Sequence, residues 1–167
     1  MMNYLENLKV LAAAIEARPE LDLSFWANER SCGTIYCAAG LAATLPYFRD
    51  MGMSASESGA PYTDEPARGL YETLNHFFGT YHGRGDDHEV FPHAAMDVLF
   101  RGYFGGEWDD EIMAKYDDHM PSDRQLALDR LALAIAYHEL IQQGPEALRA
   151  AGYGRVADEL EVQHALP

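Results

Sequence analysis

The fold is decided by the stretch from Ser122 to Pro145, which reads SDRQLALDRLALAIAYHELIQQGP. Ser122 followed by Gln125 is the pattern of a helix amino terminus, where a hydroxyl accepts a backbone N–H. Apolar residues then recur every three or four positions, and Gly144-Pro145 is typical of a helix end. The apolar stripe consists of Leu128, Leu131, Ala132, Ile135, His138 and Ile141. This stretch predicts the longest helix of the protein.

Helical patterns extend outward from it in both directions. Residues 145–160 predict two short helices separated by Gly152 and Gly154. Near the amino end, Leu5, Leu8, Leu11, Ala12 and Ile15 recur at helical intervals, and Arg18-Pro19 stops the pattern.

Further helices are predicted in the middle of the chain. One runs from Thr34 to Leu45 and ends at Pro46, and a second follows Pro66, is capped by Thr63 or Asp64 and ends at Gly79. Residues 52–66 and 79–89 read as two long polar loops, and no alternating strand flanked by turns is found. The sequence therefore predicts an all-α fold, a single compact multi-helix domain over residues 1–167.

Size and composition limit the classes of protein to which the chain can belong. The chain has 167 residues, 48% of them hydrophobic, which is enough for one packed core. No apolar run approaches the roughly 20 residues that span a membrane, and the amino end lacks the order of a signal peptide. We expect a cytoplasmic protein without a membrane segment, and no motif calls for a cofactor.

The net charge of −15 is concentrated in the middle of the chain, where residues 57–118 hold fourteen acidic and four basic side chains. Such a surface repels phosphate, which excludes direct binding to nucleic acid. The densest part is the acidic segment, residues 107–118. If helical, it would span roughly 18 Å and carry one net charge per about 3.6 Å, close to the spacing of about 3.4 Å along a DNA strand.

Apolar side chains are interleaved with these carboxylates, and aromatic residues are enriched at protein interfaces. We therefore predict that the acidic segment binds a protein partner. The predicted partner-binding residues are Glu107, Trp108, Asp109, Asp110, Glu111, Tyr116, Asp117 and Asp118. The alternative is a solvated acidic face that keeps the protein soluble, with some carboxylates placed at helix starts.

The most distinctive local string runs from Cys32 to Ala43 and reads CGTIYCAAGLAA. Its residues suggest packing: Thr34 can cap a helix, small side chains allow close helix approach, and both cysteines are expected to be buried thiols. Through C-G-T-x-x-C-A-x-G the chain resembles an uncharacterised family of small bacterial and phage proteins. The resemblance implies a helical fold and a phage or prophage setting, and it transfers no site and no activity. Relatives often have Trp or His where this chain has Leu41.

A metal site is the main alternative. His76, His82, His88 and His93 lie near Asp86, Asp87 and Glu89, and imidazole and carboxylate are ligands of divalent metals. No known metal-binding spacing is met, however, so surface histidines are the preferred interpretation. His138, on the apolar stripe, is expected to be a core or interface residue.

We therefore predict an acidic, non-enzymatic interaction protein. Its concrete form is a phage-encoded, anti-CRISPR-like inhibitor of host defence that acts in the host cytoplasm. The expected partner is a basic nucleic-acid-binding protein, and nucleic-acid mimicry is one possible mode. The alternatives are a metal-dependent hydrolase using the His- and Asp-rich region and a homo-oligomeric structural phage component.

Overall fold

The computed structural model describes residues 3–18, 21, 27–30, 33–64, 66–79, 114–116 and 121–165. In these ranges the helices are α1 (Tyr4–Glu16), α2 (Ala38–Ala42), α3 (Pro46–Asp50), α4 (Leu70–Phe78), α5 (Asp123–Gln143), α6 (Pro145–Ala150) and α7 (Gly154–Ala165). The strands are β1 (Ala27–Arg30), β2 (Gly33–Tyr36), β3 (Met53–Ala55), β4 (Pro61–Asp64) and β5 (Ala67–Arg68). The all-α prediction is therefore wrong, because the fold combines a majority of helix with antiparallel strands.

The strands form two small antiparallel sheets. β1 pairs with β2, and β4 lies between β3 and β5. Burial alternates along β4, with Pro61 and Thr63 buried and Asp64 exposed, as expected for a strand with one face on the core. The hydroxyl of Thr63 donates to the carbonyl of Pro66 at 2.8 Å and stabilises the turn into β5. The segment 52–66, predicted as a polar loop, thus contains strands β3 and β4, and Thr63 and Asp64 cap no helix.

The helix predicted for residues 34–45 is also wrong in its limits. Thr34 lies in β2, and the first helix of this region, α2, begins only at Ala38. Cys37 caps it, because its Sγ accepts the backbone N–H of Gly40 at 3.3 Å. Pro46 begins α3 instead of ending a helix, since a first helical turn does not need the N–H that proline lacks.

The helix predicted after Pro66 is α4, which begins at Leu70 with Gly69 as its amino-terminal cap. Gly79 ends α4 with a φ of +63°, the left-handed conformation that favours glycine at a helix end. The end of this helix is therefore confirmed, and its predicted start is several residues too early.

The main core forms where α1 and α5 pack along each other. Leu8, Leu11 and Ile15 of α1 are fully buried there, together with Leu126 and Leu131 of α5. The same cluster contains Phe48 of α3, Met53 of β3, three residues of α4, Leu74, Phe77 and Phe78, and the buried apolar residues of α2. The main core is therefore built mostly from helices, and β3 contributes Met53 to it.

A guanidinium joins the two central helices. Arg124, in the first turn of α5, donates from Nε to the carbonyls of Ile15 at 3.2 Å and Arg18 at 2.9 Å. Its Nη2 donates to the carbonyl of Glu16 at 2.8 Å. The last carbonyls of a helix have no partner within the helix, so Arg124 satisfies the carboxyl end of α1.

The long helix α5 and its cap are confirmed. The hydroxyl of Ser122 accepts the N–H of Gln125 at 3.2 Å, and the helix ends before Gly144. The predicted stripe differs from the buried face, however, because Ala132 is exposed and Ile135, His138 and Ile141 are only partly buried. The buried residues are Leu126, Ala127, Arg130, Leu131, Ala134 and Tyr137.

Beyond α5, helices α6 and α7 form a hairpin, which confirms the two short helices predicted for the carboxyl end. The hairpin packs on the last turns of α5 through a second, smaller cluster. Its buried members are Tyr137, Leu148, Val156 and Ala157. On the surface, Arg149 of α6 contacts Asp158 and Glu161 of α7 at 2.7 and 2.8 Å.

Candidate functional site

Of the residues predicted to bind a partner, the structure describes Tyr116. The others lie outside the described residues and stay a prediction: Glu107, Trp108, Asp109, Asp110, Glu111, Asp117 and Asp118. Tyr116 is partly buried and its ring packs against the main core. It therefore attaches the acidic segment to the body of the protein.

The attachment point of Tyr116 is Asp129 on α5. The phenol donates to Asp129 Oδ2 at 2.5 Å, and Nε2 of Gln125 donates to Oδ1 at 3.3 Å. Lys115 Nζ stands 4.0 Å from the same carboxylate. Burial, together with the hydrogen bond to Asp129 and its negative charge, raises the pKa of Tyr116. The phenol consequently remains a neutral donor at physiological pH, and the contact persists.

Basic side chains of the described region are mostly engaged within the protein. Lys9 pairs with Glu139 at 2.8 Å, and Arg149 binds two carboxylates of α7. Arg124 binds the end of α1, and Arg130 is buried. Arg49 is the exposed exception on α3. Little positive charge is therefore left to face a partner in this part of the protein.

Exposed carboxylates differ from these basic side chains in their pairing. Several of them form no ion pair with any residue that the structure describes, and they are distributed over α1, α3, α4, α6 and the three-stranded sheet with its turn. They are Glu6, Glu16, Asp50, Glu57, Asp64, Glu72 and Glu146. The described surface is therefore negative independently of the acidic segment.

A buried amide, which the sequence interpretation missed, joins three helices. Asn7 of α1 is 1% exposed, and its Nδ2 donates to the carbonyl of Phe77 in α4 at 2.6 Å. Its Oδ1 accepts the hydroxyl of Tyr47 in α3 at 3.0 Å. The available signal was an asparagine beside Leu8 on the apolar face of a helix, since a buried amide requires partners.

Two of the histidines considered as metal ligands or core residues are described. His138 is half-buried between the rings of Tyr4 and Tyr137, at centroid distances of 5.9 and 5.8 Å, and burial lowers its pKa. Burial also lowers the pKa of His76, helped by the charge of Arg68. Neither belongs to a group of three metal-ligating side chains within the described ranges.

The rest of the metal hypothesis lies outside the described residues: His82, His88, His93, Asp86, Asp87 and Glu89. Of the two cysteines, Cys37 is buried as predicted, with its sulfur at the start of α2. Cys32 falls outside the described ranges.

Comparison with protein-family models, with curated proteins and with solved structures gave no match to this chain. Within the described residues, none of the helices combines the length and apolar character needed to cross a membrane.

Proposed function

We propose that this chain is an acidic interaction protein that binds a basic protein partner and performs no catalysis of its own. The observation that carries the proposal is the uneven use of charge in the described region. Basic side chains mostly bind groups of the same chain, while seven exposed carboxylates form no ion pair with a described residue. A surface of one sign speeds association with a partner of the opposite sign and disfavours wrong partners.

The acidic segment is the proposed centre of this surface. It carries five of the fifteen net negative charges in twelve residues. The bond between Tyr116 and Asp129 supports this proposal, because it connects the segment to helix α5. A charged segment held on a folded body presents its carboxylates at lower entropic cost than a free tail.

The biological form that we propose is a phage-encoded inhibitor of host defence, similar in strategy to anti-CRISPR proteins, that acts in the host cytoplasm. It rests on the charge spacing that the acidic segment would have as a helix and on the resemblance of the Cys32–Gly40 motif to bacterial and phage proteins. By occupying the basic groove of a nucleic-acid-binding protein, the acidic segment would exclude the phosphate backbone that this groove normally binds.

Affinity capture from a bacterial lysate, performed at low salt and repeated at high salt, tests the proposal. We expect basic nucleic-acid-binding proteins to be retained at low salt and released at high salt, because screening weakens exposed charge pairs. Recovery of no such protein, or capture that is insensitive to salt, would contradict the proposal.

A pair of variants with equal net charge then locates the binding surface. One neutralises the acidic segment through Glu107→Gln, Asp109→Asn, Asp110→Asn, Glu111→Gln, Asp117→Asn and Asp118→Asn. The control neutralises six carboxylates elsewhere through Glu6→Gln, Glu16→Gln, Glu57→Gln, Asp64→Asn, Glu72→Gln and Glu146→Gln. We expect the first variant to lose the partner and the second to retain it. Equal loss would show that total charge, and not the acidic segment, governs binding.

A further inference from the structure

The large apolar side chains that are most exposed in the described region belong to α1 and to α3 with its carboxyl-terminal cap, and a hydrogen bond joins these two helices. Tyr4, Tyr47 and Met51 are 37%, 38% and 38% exposed. The hydroxyl of Tyr47 donates to Asn7 of α1. Asn7 follows Tyr4 by three residues, so the two residues lie on the same side of α1. Met51 follows Tyr47 by four residues at the end of α3. We call these three residues, Tyr4, Tyr47 and Met51, the apolar strip.

The two tyrosine rings of the strip are held in place although they are exposed. The ring of Tyr4 stands only 2.8 Å from where a Cβ on Gly79 would lie, and its centroid is 5.9 Å from that of His138. Tyr47 is fixed by its hydrogen bond to Asn7, which in turn is bound to the carbonyl of Phe77. Side chains that are already ordered lose little conformational entropy when a partner binds.

One carboxylate completes the surface. Asp50 is exposed, lies one helical turn after Tyr47 and forms no ion pair with a described residue. Arg49 is two residues from both Tyr47 and Met51, and residues at that spacing project from different sides of a helix. The apolar strip and Asp50 together thus combine aromatic faces, a thioether and a negative charge.

These groups together favour a guanidinium over an ammonium. The guanidinium is flat, stacks on an aromatic ring and donates two parallel hydrogen bonds to a carboxylate, whereas lysine carries a compact and strongly hydrated charge. We propose that the apolar strip and Asp50 form the docking surface for an arginine side chain of the basic partner. This inference rests on the proposed function, because the net charge attracts the partner and the strip then selects arginine.

Two peptides of equal charge, nona-arginine and nona-lysine, are the probes for this inference. Calorimetric titration at low salt gives both affinities, and the methyl NMR signal of Met51 reports contact with the strip. We expect nona-arginine to bind about two- to fivefold more tightly, the range of a cation–π contact at an exposed site. We also expect it to shift the Met51 methyl signal more than nona-lysine does.

Substitutions within the apolar strip or at Asp50 should remove the preference for arginine. We expect Met51→Ala and Asp50→Asn each to bring the two affinities within twofold of each other. Glu146→Gln on α6 removes the same charge as Asp50→Asn and should leave the preference intact. Tyr47→Phe loses the hydrogen bond to Asn7 but keeps the aromatic face, so it should retain the preference even where stability falls. Circular dichroism confirms that each variant is folded.

The outcomes separate this inference from the function on which it rests. If both peptides bind in a salt-dependent manner with equal affinity, or if Met51→Ala and Asp50→Asn keep the preference, the docking surface is wrong and the acidic interaction protein stands. If neither peptide binds at low salt, both proposals are contradicted.

Discussion

Helix α5 is held in different ways at its two ends. Its first half supplies most of its residues in the main core, where it packs against α1, and Arg124 binds three backbone carbonyls at the end of α1. At its last turns it meets α6 and α7 through four buried residues, and the hairpin is joined on its surface by the ion pairs of Arg149. Burial therefore decreases along one helix, and we infer that local stability decreases with it.

We expect the largest loss of stability when a buried leucine is removed from either cluster. Leu11→Ala should lower the free energy of unfolding by about 2–5 kcal/mol, because it leaves a cavity among residues that cannot relax fully. Leu148→Ala removes the same atoms from an equally buried position, and we expect a loss at the lower end of that range. We expect the smaller cluster to open locally without unfolding the main core. Urea denaturation measures both losses.

Hydrogen exchange sharpens the same contrast. Leu148→Ala should accelerate exchange in α6 and α7 and leave α1 protected, whereas Leu11→Ala should accelerate exchange throughout the protein. Equal losses of stability with identical exchange patterns would show that the two clusters unfold as one unit.

The second contrast concerns the two guanidinium groups. Arg124→Met leaves the carboxyl end of α1 without its donors, and we expect a loss of about 1.5–3 kcal/mol. Arg124→Lys, which keeps the charge but cannot reach three carbonyls at once, should recover only part of it. Arg149→Met should change stability little at low salt and not measurably at high salt, because exposed ion pairs are screened. A larger loss of stability from Arg149→Met than from Arg124→Met would contradict the inferred decrease in local stability along α5.

We expect the smallest effect on stability from His138. Its ring contacts Tyr4 of α1 on one side and Tyr137 of the smaller cluster on the other. Burial lowers its pKa below the unfolded value of 6.5. Its contribution to stability is therefore complete above that value and is lost as pH falls through the lowered pKa of the folded state. The unfolding free energy of His138→Gln should decline less than that of the natural chain between about pH 7.5 and pH 5.5. Parallel pH profiles would contradict this assignment.

Sequence reasoning predicted the helices at both ends of the chain because these are long enough to show their period. Ser122, Gly79 and Gly144 marked helix ends correctly, since capping depends on local chemistry. The strands were missed because they are short. β3 and β4 have three and four residues, which is too short for alternation to be recognised, and the glycine, serine and proline residues in and around them are also typical of loops.

The predicted apolar stripe of α5 differs from its buried face for another reason. Arg130 is 1% exposed, and a rule that places apolar side chains inside and charged ones outside cannot find a buried arginine. At the candidate site, the sequence singled out Tyr116 as an aromatic residue within an acidic segment. It could not predict that Asp129, thirteen residues away, accepts its phenol, because that contact depends on tertiary packing.

The hydrogen bonds of Arg124 also constrain how the chain assembles. They join residues 106 to 109 positions apart, and the pair of Lys9 and Glu139 spans 130. Closing so long a loop has an entropic cost that must be met before the contacts stabilise anything, and proteins rich in distant contacts fold slowly. During synthesis, α1 would leave the ribosome long before α5 exists. Its leucines therefore stay without their native partners until most of the chain has been made, and this interval is when aggregation competes with folding.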